Sequence, residues 1–163
     1  MKKPAKRRPE NADAKTVVEL QRKIRELKTL NEIVQAINSA LEPKVILRII
    51  MEKTADLINA EGWSVLMLDH DKQELVFEAA AGEAGTKLIG IRLKIGQGVA
   101  GWVARKGESL IVPDVTKDKR FYSGVDKKTK FITKSILCVP MKRRDEMIGV
   151  VEVVNKVDGE PFT

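Results

Sequence analysis

Apolar residues recur with a helical period through the first quarter of the chain. Val17, Leu20, Ile24 and Leu27 follow a 3-4-3 spacing, and Asn31 and Val34 continue its two positions. Such a narrow stripe is the seam of a coiled coil, and a single polar Asn on it favours one register and a dimer. Glu19 stands four residues before Lys23, the order that supports a helix. Beyond Asn31 the apolar set widens to Leu30, Ile33, Val34, Ile37 and Leu41, a face suited to lying on a sheet. A helix over 13–41 is expected, its first half made for another helix and its second half for its own domain. The plainer alternative is one amphipathic helix packed within the chain.

Pro43 opens a second helix, at a position where its missing N–H costs little. Val45, Ile46, Ile49, Ile50, Leu57 and Ile58 give that helix an apolar face, and residues 59–62 end it. The pattern then changes to period two. Trp63 to Leu68 and Leu75 to Ala81 read as a hairpin about the turn at 69–72. Leu88 to Ile95 is a third strand and Ser109 to Val112 a short fourth, stopped by Pro113. Ser135 to Met141 and Met147 to Val154 form the last hairpin. Between them lie a short helix from Gly98 to about Arg105 and a polar, lysine-bearing segment, 123–133, expected to form a small surface helix or lid. Strands arriving in hairpins, with helices before and between them, predict an α+β fold: an antiparallel sheet of five or six strands with flanking helices, preceded by a long N-terminal helix. The expected organisation is a disordered basic tail at 1–12, the dimerisation helix at 13–41 leading into the domain, and a globular domain at 30–163.

Composition changes this picture little. The 163 residues are 43% hydrophobic and 33% charged, enough for one core. The formal net charge of +7 suggests nucleic acid until it is divided. Lys2, Lys3, Lys6, Arg7 and Arg8 supply five of the seven within the Pro-containing tail, so the rest is nearly balanced. Such a tail is ordinarily a solvated end, and without interleaved aromatics or a recognition element it does not make a nucleic-acid binder. No apolar run is long enough to span a membrane, and no apolar segment follows the basic start to make a secretory signal. A lone cysteine fits a reducing compartment, so a cytoplasmic location is expected.

Chemistry-bearing residues are few. Gly96 to Gly101, GQGVAG, matches the dinucleotide fingerprint in form, but hairpins cannot supply the parallel crossover that the motif requires. Its glycines still permit close approach to the backbone, and the helix it opens presents free N–H groups to an anion. His70, the only histidine, falls on a turn with no metal-ligand partners around it. Cys138 lies inside an apolar strand and reads as a small buried hydrophobe. No acid/base pair, nucleophile or metal cluster emerges, so an enzyme is not expected.

The segments EGWSVLMLD, GQGVAGWVARKGE, IVPDV, FYSGVDKKTKFITKSILCVPM and IGVVEVVNK carry a family resemblance. From about Leu30 to its end the chain resembles a GAF domain, closest to the ligand-binding regulatory GAF domains of cyclic-nucleotide phosphodiesterases and of bacterial signalling proteins. The resemblance implies a pocket in which Ser64 lies near a base and the backbone at Val99 and Ala100 holds a cyclic phosphate. It further places Tyr122 over the ligand, Thr129 and Thr133 on a lid near the sugar-phosphate, and Glu152 facing the pocket from the last strand. Glu152 reads equally well, within VVEVV, as a residue on a solvated sheet face. Two departures stand out. Ala80 and Ala81 occupy positions where guanine-selective members carry an aromatic–acidic pair; Asp69, Glu78 and Glu83 are the nearby acids. The closing motif has Asn155, Lys156 and Phe162 but not the acid beyond, and the final helix of the family has no counterpart.

Together these readings imply a non-catalytic signalling module. It would take a small anionic ligand, with a cyclic nucleotide (cAMP or cGMP) foremost, need no cofactor, form a homodimer through the N-terminal helix, and relay binding to an effector domain outside this chain. A ligand-free dimerisation or structural module is the alternative.

Overall fold

The computed structural model describes residues 10–38 and 43–163, with side chains from 16–35 and 44–163. Helix α1 spans Glu10–Asn38 and α2 spans Pro43–Leu57. Of the expected tail at 1–12, residues 1–9 lie outside the described residues, as does Leu41, and residues 10–12 belong to α1. Contacts divide the chain into two compact units, 1–46 and 47–163. In the first, α1 exposes its seam: Val17, Leu20, Ile24, Leu27 and Val34 are each about half open or more. Arg22 to Glu26 and Lys23 to Glu19 form ion pairs one helical turn apart.

The second unit is built on one antiparallel sheet. Its strands are β1 (Ala60–Asp69), β2 (Glu74–Ala81), β3 (Arg92–Lys94), β4 (Leu110–Val112), β5 (Ile136–Arg143) and β6 (Glu146–Lys156). They lie in the order β3-β2-β1-β6-β5-β4. β1 and β6, first and last of the long strands, therefore meet at the centre. Three short helices connect the strands: α3 (Gly85–Leu88), α4 (Gly98–Lys106) and α5 (Gly124–Thr129).

Both faces of the sheet are covered. On one, Met51 and Ala55 of α2 pack with Trp63, Val65 and Val153. Phe162, from the end of the chain, buries its ring in the same cluster. On the other, α4 lays Val99, Ala100, Val103 and Ala104 against Leu66, Phe77, Cys138 and Val150. Successive strand residues point to opposite faces, which is why Val65 and Leu66 are both fully buried yet belong to different clusters.

The third strand is shorter than the sequence pattern predicts. The 88–95 run does not stay extended: Leu88 ends α3, and only Arg92–Lys94 pairs with β2. The chain folds back on Gly90, whose φ of +81° suits glycine, and the amide of Gly90 donates to the carbonyl of Phe77. The last hairpin lies where its alternation places it, with β6 extended to Lys156.

Candidate functional site

The cavity follows from a row of cross-strand neighbours. Ser64 on β1 stands opposite Glu152 on β6, and Glu152 stands opposite Cys138 on β5. Ala80 on β2 continues the row on one side and Leu110 on β4 on the other. All five point to the α4 face. Above the row the chain from Phe121 through α5 to Thr133 forms a cover. The space beneath holds about 710 Å³ free of atoms, its open mouth included.

All seven residues singled out in the sequence line this one cavity: Ser64, Val99, Ala100, Tyr122, Thr129, Thr133 and Glu152. Most of the remaining wall is apolar, including Phe77, Leu93, Phe121, Val125, Phe131 and Ile136. Among the lining residues there is no lysine, arginine or histidine. Lys127, Lys128 and Lys130 of the cover are exposed to solvent and stand outside the lining.

Glu152 is the focus of the floor. It is only 9% exposed, which removes the solvated-face reading. Burial pushes its carboxyl up to about 7, and hydrogen bonds donated by the Cys138 thiol and the Ser64 hydroxyl offset only part of that. Burial also raises the pKa of the Cys138 thiol, and the neighbouring Glu152 carboxyl raises it further. Cys138 is thus a buried, protonated thiol, as expected from its strand, and not a nucleophile.

The start of α4 forms one wall. Gln97 precedes it in an extended conformation and makes no side-chain cap; its Oε1 instead accepts from the Lys94 amide at 3.1 Å. The first turn therefore presents the backbone of Gly98, Val99 and Ala100 to the cavity without a competing side-chain acceptor. Two glycines of GQGVAG make this geometry. Gly98 sits at φ +70°, and a Cβ on Gly101 would stand 2.7 Å from the Lys94 carbonyl oxygen. The motif is a tight strand-to-helix turn in a sheet without a parallel crossover.

The cover is held by its own hydrogen bonds. Thr129 is buried and its Oγ1 donates to the Val125 carbonyl at 3.1 Å. Thr133 donates from its amide and from Oγ1 to the two carboxylate oxygens of Asp126, both at 2.8 Å. Both lid hydroxyls are thus engaged within the lid. Tyr122 is 43% exposed at the mouth, beside Gly98 and Gly124. Lys87 of α3 donates from Nζ to the Thr129 carbonyl at 3.0 Å and ties the lid to the opposite rim.

Two residues matter here that the sequence did not single out for these roles. Asp126 lines the cavity and organises Thr133. Asn155, visible only as part of a closing motif, is 2% exposed and clamps the far end of the lid. Its Oδ1 accepts from the amides of Lys134 (2.7 Å) and Ser135 (3.3 Å). Its Nδ2 donates to the Ile132 carbonyl (3.0 Å) and to Glu61 Oε2 (2.7 Å). It does this from φ +50°, a region that Asn tolerates better than most residues. Of the acids near the alanine pair, Glu83 lines the mouth, whereas Asp69 is bonded to Arg92 on the hairpin.

The GAF domain family model matches residues 42–163. The chain belongs to the GAF family. It is 34% identical over 119 residues, 68% of its length, to the probable 3',5'-cyclic phosphodiesterase pde-5 of Caenorhabditis elegans. It is 32% identical over 142 residues, 81% of its length, to the dual 3',5'-cyclic-AMP and -GMP phosphodiesterase 11A of Takifugu rubripes. The GAF chain spans 16% of each of these relatives. Among solved structures, the GAF domain from an Acinetobacter phosphoenolpyruvate-protein phosphotransferase superposes with a TM-score of 0.69 at 28% identity, covering 83% of this chain and 78% of its own. Among the described residues, no helix is long and apolar enough to cross a membrane, and no cluster of His, Cys, Asp or Glu could hold a metal.

Proposed function

We propose that this GAF domain is a non-catalytic sensor whose cavity takes a cyclic nucleotide, its phosphate at the start of α4 and its base toward the Ser64–Glu152 floor. The observation that carries this reading is the uncapped first turn of α4 opening into a cavity with an apolar wall and a polar floor. Backbone N–H groups at a helix start bind anions without a cationic side chain, which suits a lining that has none. The names of the phosphodiesterase relatives support the same ligand class. The apolar lining, including Phe77, Phe121 and Phe131, suits a flat heterocycle.

Binding would bury ligand under a lid that otherwise relies on Asp126, Lys87 and Asn155 for its position. A ligand shifts an equilibrium by the difference in its contacts with the two states, and here that difference resides in the lid. The exposed a/d residues of α1 supply the second half of the proposal, a homodimer that passes the change to an effector domain. Calorimetric titration of the full chain with cAMP and cGMP tests the ligand. Saturable heat is expected, and none at high micromolar nucleotide would end the nucleotide reading.

A ligand-free dimerisation module is favoured by one observation, the exposed α1 seam. Sedimentation of a chain starting at residue 30 separates the parts. It should be monomeric, and a dimer without the seam would exclude α1 as the interface.

A further inference from the structure

We propose that Glu152 is the charge selector of this cavity: protonated, it donates a hydrogen bond to an anionic ligand seated at the start of α4, and ionised, it repels that ligand. The inference rests on the anion reading given above and adds the group that decides when the anion can enter.

The argument is one of placement and missing compensation. Glu152 lies at the centre of the sheet, between β1 and β5, with its carboxyl under the lid. None of the elements around it lines the cavity with a cation. β1 gives the Ser64 hydroxyl, and β5 the Cys138 thiol, which burial keeps protonated. α4 faces the cavity with Gly98, Val99 and Ala100, which do not titrate. The lid contributes Asp126 and the phenol of Tyr122, and the loop after β2 contributes Glu83. The ammonium of Lys87 on α3, outside the lining, is directed to the Thr129 carbonyl.

A carboxylate in such a place is costly, because burial strips its hydration and no lysine, arginine or histidine lines the cavity to offset its charge. The proton therefore stays on Glu152 up to about pH 7 in the free domain. A bound anion brings a negative charge into the same cavity, and that charge holds the proton on Glu152 more tightly still. Linkage fixes the sign. The bound form carries more protons than the free form above pH 7, so affinity is flat below that point and falls above it. At one pH unit above the midpoint, about nine-tenths of the free domain is ionised, and affinity drops roughly tenfold if only the protonated form binds. Glutamine is a neutral near-isostere and should bind without that fall.

The test has two arms. In the first, the Glu152 side-chain carboxyl of the ligand-free full chain is followed by carbon-13 NMR across the neutral range, its signal identified by loss in Glu152→Gln. A protonated carboxyl at about pH 6 is expected. A carboxylate already ionised there overturns the proposal whatever binds. In the second, cAMP and cGMP are titrated into wild type and Glu152→Gln at about pH 6 and about pH 8. Expected are a roughly tenfold weaker wild-type Kd at the higher pH and an unchanged variant. Nucleotide binding that is independent of pH, or a variant as sensitive as wild type, overturns the selector and leaves the nucleotide reading intact. Failure of both nucleotides to bind either protein at the lower pH overturns both, because no anion is then admitted by a neutral floor.

Discussion

The two faces of the central sheet are made by alternate residues of the same strands, and they differ sharply. Trp63, Val65 and Val153 face α2 and the Phe162 ring in a cluster that is apolar throughout. Their neighbours Ser64 and Glu152 point the other way, into the cavity, with Cys138 beside them. The residues of both faces are buried, but only one face carries polar groups that are costly to bury. The apolar face stabilises the fold; the other face spends part of that stability on a carboxyl whose protonation can change near neutral pH. Because one strand serves both, the rigidity of the first face fixes the position of the second.

The largest effect should come from weakening the apolar face. Trp63→Ala removes a side chain that is 4% exposed and leaves a void under α2. A loss of about 3–5 kcal/mol is expected. Urea unfolding would show a lower midpoint with an unchanged slope, and a loss under 1 kcal/mol (roughly the value for a surface site) would mean that this face is not the foundation.

The polar face should betray itself by pH. The Glu152 carboxyl titrates near 7 when folded and near 4.5, its ordinary value, when unfolded. Between these values the native state holds more protons, so stability falls as pH rises from about 4.5 to about 7 and levels off beyond. The full contribution is about 3 kcal/mol for a raised pKa of this size. Wild type and Glu152→Gln should therefore diverge through that window in urea titrations, with the variant the more stable above it. Parallel curves would place the carboxyl in contact with solvent.

How much of this was legible in the sequence depended on which residues were asked. The period-two runs gave five of the strands, and the seven site positions meet in one cavity. VVEVV could not say which face Glu152 takes, because both of its faces are buried and the usual contrast of apolar and polar sides is lost. The run 88–95 misled because apolar content outweighed Gly90, the residue whose φ of +81° turns the chain. The lid's fastening was illegible for another reason. Asp126 and Asn155 act through hydrogen bonds to backbone groups, which leave no periodic mark.

Asn155 gives a sharper contrast between floor and lid. Asn155→Ala removes four side-chain hydrogen bonds and places alanine at φ +50°. About 2–3 kcal/mol should be lost. Asn155→Gly, which accepts the backbone angle, should recover part of it, on the order of 1 kcal/mol. If the two variants unfold alike, the backbone angle contributes nothing and the side-chain bonds account for the whole loss.

The smallest effect should be confined to the lid. Thr133→Val keeps the shape of the side chain and the amide bond to Asp126 but removes the 2.8 Å bond from Oγ1. That bond contributes about 1 kcal/mol to the closed arrangement of residues 124–133, or roughly a fivefold change in its opening equilibrium. Hydrogen exchange of the lid amides should quicken by that factor while the amides of β1 and β6 keep their rates, since those strands open only with the whole sheet. Faster exchange throughout the sheet would mean that lid and floor open together. The lid could not then report occupancy of the cavity separately from the stability of the domain.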